Sequence, residues 1–282
     1  MALLIRLLFD LVFEIPILRF IALAVAPALL LLRYVRNKDA IEAEPPKLIW
    51  SLVGLGILST GIAYVLEIGG LAVLQLLFAE ENLLFQIIRW IVVVGLMEEV
   101  SKYLMLRLRT WKNPNFNCLF DGMVYAVAVS AGFALAENIL YGVMYGTGVL
   151  LIRAVVSIPA HLCFSVFMGT WYSVAKRFAV KGDERSARKC LALSVAVSAI
   201  AHGLFDLLAD YAGSVGMLVL MAAYVIAMFI VCWRIVKYMS ERDAYLTGGP
   251  GGFAAPDEQA PIPGPVPTLP DNVPPTGRDR IG

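Results

Sequence analysis

Two adjacent carboxylates and a lysine stand inside an apolar run of the chain, where Glu98, Glu99 and Lys102 lie within residues 94 to 103. A charged side chain at the centre of a membrane helix costs about 3 kcal/mol on insertion scales, so we expect all three to face the interior of a helix bundle. Helical spacings of three and four residues let the lysine pair with either acid. One carboxylate can then be held ionised while the other exchanges protons with water.

Two later apolar segments repeat this pattern with an acid and a histidine. Glu137 is four residues from both Phe133 and Tyr141, so the acid and the phenol share one helix face. His161 follows Pro159, which removes a helix hydrogen bond and predicts a bend beside the imidazole. Arg153 lies between Glu137 and His161 in the sequence, and we expect its guanidinium to reach the membrane interface.

A third segment carries His202 and Asp206 one helical turn apart. A carboxylate that bonds one imidazole nitrogen fixes the tautomer and raises the basicity of the other nitrogen. Asp210 lies near the end of this segment, where we expect it to be solvated. A structural ion pair for the acids and the lysine, or an interhelical hydrogen bond for each histidine alone, is the non-catalytic interpretation of these groups.

Glutamate and histidine without a candidate nucleophile predict attack by activated water. A carboxylate can take the proton from water, and histidines can stabilise an oxyanion or hold a metal. The sequence contains no H-E-x-x-H, G-x-S-x-G or G-x-G-D motif, so the common zinc, serine and aspartyl alternatives have no support. Peptide hydrolysis within the membrane is the favoured reaction. A proton-coupled transporter or channel and a non-catalytic membrane scaffold are the alternatives.

The elements that must position these groups are transmembrane helices. Of the 282 residues, 60% are hydrophobic and only 16% are charged, and the mean hydropathy is +0.77. Apolar runs of about twenty residues without strict alternation predict an all-α polytopic transmembrane helix bundle. We expect an N-terminal amphipathic helix at residues 1–17, interfacial or an eighth span, and about seven further spans, near 18–33, 48–66, 84–106, 118–141, 150–175, 190–210 and 214–234.

The distribution of charge predicts the orientation of the bundle. Lysine and arginine concentrate in residues 33–47, 107–112 and 176–189, whereas the loop at 67–82 contains acids and no basic residue, and a glycine-rich turn is expected at 141–150. The positive-inside rule then predicts a multi-pass plasma-membrane protein with a cytoplasmic C-terminus. We expect a transmembrane protease domain at residues 18–240. Residues 248–282 are rich in proline and glycine and predict a disordered cytoplasmic tail. The four cysteines are far apart from one another in apolar surroundings, so we expect them to act as small hydrophobic residues.

Four motifs on successive spans together resemble the PrsW family of intramembrane proteases, distant relatives of the type II CAAX prenyl endopeptidases. The resemblance covers roughly residues 18–238. The motifs are Glu98-Glu99-x-x-Lys102, Phe133-x-x-x-Glu137-Asn138-x-x-Tyr141, His161 within residues 153–169, and His202-Gly-x-x-Asp206. Prenyl-protein cleavage is the less favoured specificity, because Lys102 and Glu137 depart from the CAAX pattern.

The resemblance implies an endopeptidase that cleaves membrane-anchored proteins, for example an anti-sigma factor at site 1. It implies Glu98 or Glu99 as the general base, with Lys102 completing the catalytic group. It further implies that His161 and His202 contact the oxyanion or a metal, that Glu137 is a further acid or ligand, and that Asp206 orients His202. Zn²⁺ on Glu137, His161 and His202 is the implied cofactor, and a metal-free mechanism stays open. The expected partners are the membrane-anchored substrate and the lipid bilayer, with no nucleic acid and an undetermined oligomeric state.

Overall fold

A computed structural model describes residues 16–246, and every regular element in that part of the chain is helical. The predicted tail, and all but the last two residues of the predicted helix at 1–17, lie outside the described residues. The elements are α1 Pro16–Arg36, α2 Pro46–Leu77, α3 Leu83–Ile88, a π-helical segment Arg89–Leu96, α4 Met97–Thr110, α5 Asp121–Tyr145, α6 Thr147–Val155, α7 Ser157–Val180, α8 Glu184–Asp210 and α9 Val215–Glu241.

Six helices in the described chain are long and apolar enough to cross a membrane. They are α1, α2, α5, α6 with α7, α8 and α9. A further crossing is made by α3, the π-helical segment and α4, which follow one another without a break from Leu83 to Thr110. At ~1.5 Å per residue this run is long enough to span the hydrocarbon layer. Its ionisable residues are the reason that hydropathy alone does not select it.

The connections at one end of the bundle contact one another. The Lys176 ammonium donates to the carbonyl of Trp111 at 2.7 Å, and the Ser240 hydroxyl donates to the carbonyl of Lys38 at 2.5 Å. Residues 37–45, 111–120 and 242–246 therefore lie together, and we call this the loop end. At the opposite end, the Trp90 indole donates to Asp210 at 3.1 Å. The seven crossings alternate in direction between these two ends, as an all-α polytopic bundle requires.

The centre of the bundle is α5, whose span is the most buried of those in the described chain. It packs against α2 and α7, and α7 packs in turn against α8. The acid-bearing run approaches α8 closely at a pair of glycines. A Cβ on Gly95 would lie 2.7 Å from the carbonyl oxygen of Ala199, and a Cβ on Gly203 would lie 2.7 Å from that of Trp90. Only glycine allows the two backbones to come this close.

Two connections differ from the prediction. The prediction of a loop at residues 67–82 is wrong for residues 67–77, because α2 continues to Leu77 and carries Glu67 on the helix. Hydrophobic residues continue through this stretch, and one acid does not end a helix. The turn expected at 141–150 is reduced to Gly146 at φ 82°, between α5 and α6. The bend expected near Pro159 is a break at Val156, where α6 ends and α7 begins.

Candidate active site

The ammonium of Lys102 lies between the two adjacent acids in the interior of the bundle. It donates to Glu99 Oε1 at 2.7 Å and to Glu98 Oε2 at 3.2 Å. The exposed fractions are 6% for Glu98, 0% for Glu99 and 1% for Lys102, so the group is removed from bulk water. The ammonium also lies 3.9 Å from the centroid of the Phe133 ring, whose face adds a cation–π attraction.

His202 of α8 lies between carboxylates on both sides. Its Nδ1 is 3.0 Å from Glu99 Oε1, and its Nε2 is 3.2 Å from Asp206 Oδ2. Nε2 is also 3.7 Å from Glu98 Oε2, which is beyond a direct hydrogen bond. Because an ionised carboxylate can only accept, a doubly protonated imidazolium satisfies both sides.

His161 of α7 joins the acid pair to Glu137 of α5. Its Nδ1 is 3.3 Å from the Lys102 ammonium, and its Nε2 is 2.7 Å from Glu137 Oε2. Since an ammonium only donates, Nδ1 must accept, and Nε2 carries the proton that is donated to Glu137. The two imidazole rings meet edge to face with centroids 5.0 Å apart, so His161 and His202 share one site.

Arg153 is the second partner of Glu137. Its Nη2 is 2.8 Å from Glu137 Oε2, and its Nε donates to Asn138 Oδ1 at 3.0 Å. The guanidinium also lies 3.9 Å from the centroid of the Tyr141 ring. Asn138 donates to the carbonyls of Leu23 and Ala24, which connects this arginine to α1.

A cavity of about 420 Å³ adjoins this network. It is bounded by residues of α2, the π-helical segment, α4, α5, α6, α7 and α8. The ionisable groups on its wall are Glu67, Arg89, Glu98, Glu137, Arg153, His161, His202 and Asp206. Glu99 and Lys102 are not on the wall, because they lie behind Glu98 in the packed interior. The two adjacent glutamates therefore have different surroundings.

Local backbone geometry presents the acid pair to the histidines. The π-helical segment Arg89–Leu96 ends two residues before Glu98. Such segments are rare overall, but where they occur they are often at functional sites. Gly95 lies one turn before the two acids, and Gly203 is next to His202. The close contact between the two helices is therefore beside the site. Together they place Glu98 and Glu99 against α8 at hydrogen-bonding distance.

The site also contains a group of residues that could hold a metal ion. Glu98, Glu99, His161 and His202 each offer one ligand atom, and these four atoms lie within 4.8 Å of one another. Two carboxylates and two imidazoles are a donor set that suits Zn²⁺. Glu99 Oε2 is buried and has no hydrogen-bond partner among the described residues, which leaves a ligand atom available. The donor set therefore suits a divalent metal, which would take the place of the Lys102 ammonium that contacts three of these four residues.

The seven side chains predicted to share a site do lie in one connected network. Their catalytic roles stay predictions. The geometry differs from the expected metal ligands in one member, since Glu137 is outside the group of four and pairs with Arg153. The expectation that Arg153 reaches the membrane interface is wrong. Its side chain is buried, and its guanidinium is paired with the Glu137 carboxylate, so its charge is compensated without contact with water. Spacing along one helix could not have revealed a partner on another.

An all-α membrane bundle with buried glutamates and histidines around an internal cavity defines a class, the membrane-embedded hydrolases. The model of the PrsW family of intramembrane metalloproteases matches residues 44–234. The protease PrsW of Geobacillus kaustophilus is 33% identical over 190 residues, covering 66% of this chain and 77% of that protein. That of Clostridioides difficile is 30% identical over 229 residues, covering 77% of this chain and 90% of that protein. No solved structure matches.

The chain belongs to the PrsW family and is an intramembrane protease. The family resemblance expected from the four motifs is confirmed, as are the all-α polytopic fold and the multi-pass membrane location. A membrane protein substrate follows from the class of enzyme.

Proposed function

We propose that this protease hydrolyses a peptide bond in a membrane-anchored protein with water activated by Glu98, supported by His161 and His202. The observation that carries the proposal is the difference between the two adjacent glutamates. Glu98 borders the cavity, whereas Glu99 is fully enclosed between Lys102 and His202. A general base must reach the water from which it takes a proton. Glu98 meets this requirement, and Glu99 serves as a positioning residue for His202.

The hydrogen-bond network supports a defined sequence of proton transfers. Glu98 accepts a proton from water while the water oxygen bonds to the scissile carbonyl carbon. The carbonyl π electrons move to its oxygen, and the imidazolium of His202 stabilises that oxyanion by its charge, because its two N–H groups already face Glu99 and Asp206. When the C–N bond breaks, Glu98 returns the proton to the leaving nitrogen. Asp206 and Glu99 keep His202 charged throughout, and Lys102 holds Glu98 in place.

Zn²⁺ is the cofactor that the donor set suits best. As the alternative to the metal-free route above, we propose that Glu98, Glu99, His161 and His202 would hold it in place of the set containing Glu137, with His202 neutral and the Lys102 ammonium displaced from between them. A bound Zn²⁺ would supply Lewis-acid polarisation of the carbonyl and a more acidic water. Glu137 and Arg153 would then orient His161 from outside the metal, as carboxylates commonly do for metal-bound histidines.

The position of the cavity supports a class of substrate, and the charges at the loop end support an orientation of the protein in the membrane. The cavity lies within the span of the helices, so the scissile bond must be within or next to a membrane segment of the substrate. An anti-sigma factor with one span, cleaved at site 1, is a substrate of this kind. The basic residues of the connections at the loop end favour a plasma-membrane protein whose loop end and C-terminus face the cytoplasm.

The Glu98→Gln variant tests the base. Glutamine keeps the size of the side chain but cannot take a proton, so we expect cleavage of a co-expressed single-span substrate to fall by about 10²- to 10⁴-fold. Glu241→Gln is the matched control, because Glu241 is exposed on α9 and forms only a surface pair with Lys237 at 3.8 Å. Unchanged cleavage by a folded Glu98→Gln protein would contradict the assignment. A transporter would show no cleavage in any variant.

Metal analysis of the purified protein tests the cofactor. The metal route predicts one Zn²⁺ per chain, lost together with cleavage on chelation and restored on addition of Zn²⁺. The Glu137→Gln variant separates the two ligand sets. It should retain Zn²⁺ if the four residues around Lys102 are the ligands, and lose it if Glu137 is one of them. Full cleavage by metal-free protein would leave the glutamate-dependent mechanism as the remaining route.

A further inference from the structure

A second group of three acids, two of them buried, lies at the loop end, on a different part of the bundle. It consists of Asp39 and Glu44 in the connection between α1 and α2, and Asp121, the first residue of α5. One carboxylate oxygen from each lies within 4.8 Å of the others. Asp121 is sixteen residues before Glu137 on α5, or ~24 Å along the helix axis, so this group is separate from the active site.

These carboxylates have oxygens without partners. Glu44 is only 3% exposed, and neither of its carboxylate oxygens has a hydrogen-bond partner. The hydroxyl of the neighbouring Tyr125 donates instead to the carbonyl of Asn115 at 2.9 Å. Asp121 is fully buried. Its Oδ2 accepts the backbone amides of Asn117 and Cys118, at 2.9 and 2.6 Å, while its Oδ1 has no partner.

No lysine, arginine or histidine within residues 16–246 forms an ion pair with the group. None of the ion pairs formed between residues 16 and 246 includes Asp39, Glu44 or Asp121. Arg33 and Arg36 border the adjacent cavity without pairing with them. Burial, with the nearby Asp243 charge adding to it, raises the pKa of Asp39 to about 6, and burial raises that of Glu44 to about 7. Three acids this close together repel one another unless bound protons or a cation neutralise them.

We propose that Asp39, Glu44 and Asp121 bind a hard divalent cation, Ca²⁺ or Mg²⁺, at the loop end. All the available donors are oxygens, and both ions prefer an all-oxygen environment. Asn117 and Asp243, on the two other segments that meet at the loop end, each have a buried oxygen without a partner, Oδ1 and Oδ2 respectively. A cavity of about 390 Å³ next to Asp39 and Glu44 gives the ion and its waters access.

A cation in this position joins segments that are far apart in sequence. It links the α1–α2 connection to the start of α5, the helix that carries Glu137 at its other half. Its role is therefore structural, holding the loop end together, and is independent of peptide hydrolysis. Because only the folded chain brings the three acids together, a bound cation stabilises the folded state by mass action.

Thermal unfolding of the full chain in detergent tests the site. After chelation and removal of the chelator, Ca²⁺ or Mg²⁺ at about 100 times the dissociation constant should raise Tm by roughly 5 °C or more over NaCl of equal ionic strength. In Glu44→Gln the cation-dependent shift should vanish, while Tm without cation should equal or exceed that of the native protein because one repulsive charge is gone. A response to Ca²⁺ alone identifies a calcium site, and a response to both identifies a site for either ion.

Two controls confine the result to this cluster. Glu81→Gln removes an exposed acid at the opposite end of the bundle, so it should keep the shift. Glu98→Gln alters the active-site acids and should also keep it. Tb³⁺ luminescence excited through Trp50, which borders the same cavity, should appear in the native protein, be displaced by Ca²⁺, and be lost in Glu44→Gln. No shift in the native protein, an equal shift in Glu44→Gln, or a shift lost in Glu98→Gln would overturn the proposal.

Discussion

At the scale of single residues, adjacent and chemically identical side chains acquire different roles from their surroundings. Glu98 borders the cavity, and Glu99 is enclosed by Lys102 and His202. Lys102 donates to both acids and to His161, so one ammonium connects two carboxylates to an imidazole. A donor at this position fixes which nitrogen of His161 carries a proton. The chemistry of the site therefore depends on contacts that no single residue type reveals.

The pair of Arg153 and Glu137 gives a prediction at this scale. Arg153→Met leaves the Glu137 carboxylate buried with the neutral His161 as its remaining close partner, which should destabilise the protein by about 3–5 kcal/mol. The double variant Arg153→Met with Glu137→Gln should recover part of that loss, because no unpaired charge remains. Chemical unfolding of the four proteins of this cycle measures the coupling. Additive effects of the two substitutions would contradict a direct ion pair.

At the scale of the elements, the close contact of the acid-bearing run with α8 sets the distance between acids and histidine. The π-helical segment Arg89–Leu96 places the backbone of Trp90 and Ile91 against Gly203. A helix–helix separation this small requires a residue without a side chain, as in other membrane bundles. The glycine is thus part of the geometry of the site although it contacts no reactant.

Gly203→Ala tests this contact. The added methyl group would meet the Trp90 carbonyl oxygen at 2.7 Å, so the helices must separate. Overpacking of this kind typically costs about 1–3 kcal/mol, and the displacement of His202 from Glu99 should lower cleavage more than tenfold. Gly61→Ala on α2 is the control, since a Cβ there meets no atom within 4 Å. Measurements of Tm and cleavage for both variants make the comparison, and full activity in Gly203→Ala would show that the spacing is not critical.

At the scale of the whole molecule, seven alternating crossings bring every basic connection to one end. The positively charged residues near Arg36, Arg109 and Arg177 come from different parts of the chain and lie at the loop end because the crossings alternate. The acid cluster of Asp39, Glu44 and Asp121 lies at the same end. The molecule thus separates a site for hydrolysis within the membrane from a charged end outside it.

Labelling of single cysteines with an impermeant maleimide tests the proposed orientation. Glu81→Cys lies at the end opposite the loop end and should react in intact cells, whereas Lys181→Cys at the loop end should react only after the cells are opened. The four native cysteines are buried and give a low background. The reverse pattern of labelling would show that the loop end faces outward.

The sequence alone determined the class of fold, the order of the crossings and the ionisable residues that the membrane forces inward. Length and hydropathy are properties of each segment by itself, and the cost of burying charge in lipid identified Glu98, Lys102 and His202 without any tertiary information. Helical periodicity also paired Lys102 with its neighbours three and four residues away. These inferences need only one helix at a time.

The tertiary structure decided how the helices are rotated against one another. That rotation put Glu98 on the cavity and Glu99 behind it, gave Glu137 a partner in Arg153, and brought Asp39 next to Asp121. It depends on side-chain packing between segments, such as the fit of Gly95 against Gly203, and packing between helices leaves no periodic pattern within either one. For this physical reason, the members of the site and their partners on the same helix could be predicted from the sequence, while their partners on other helices could not.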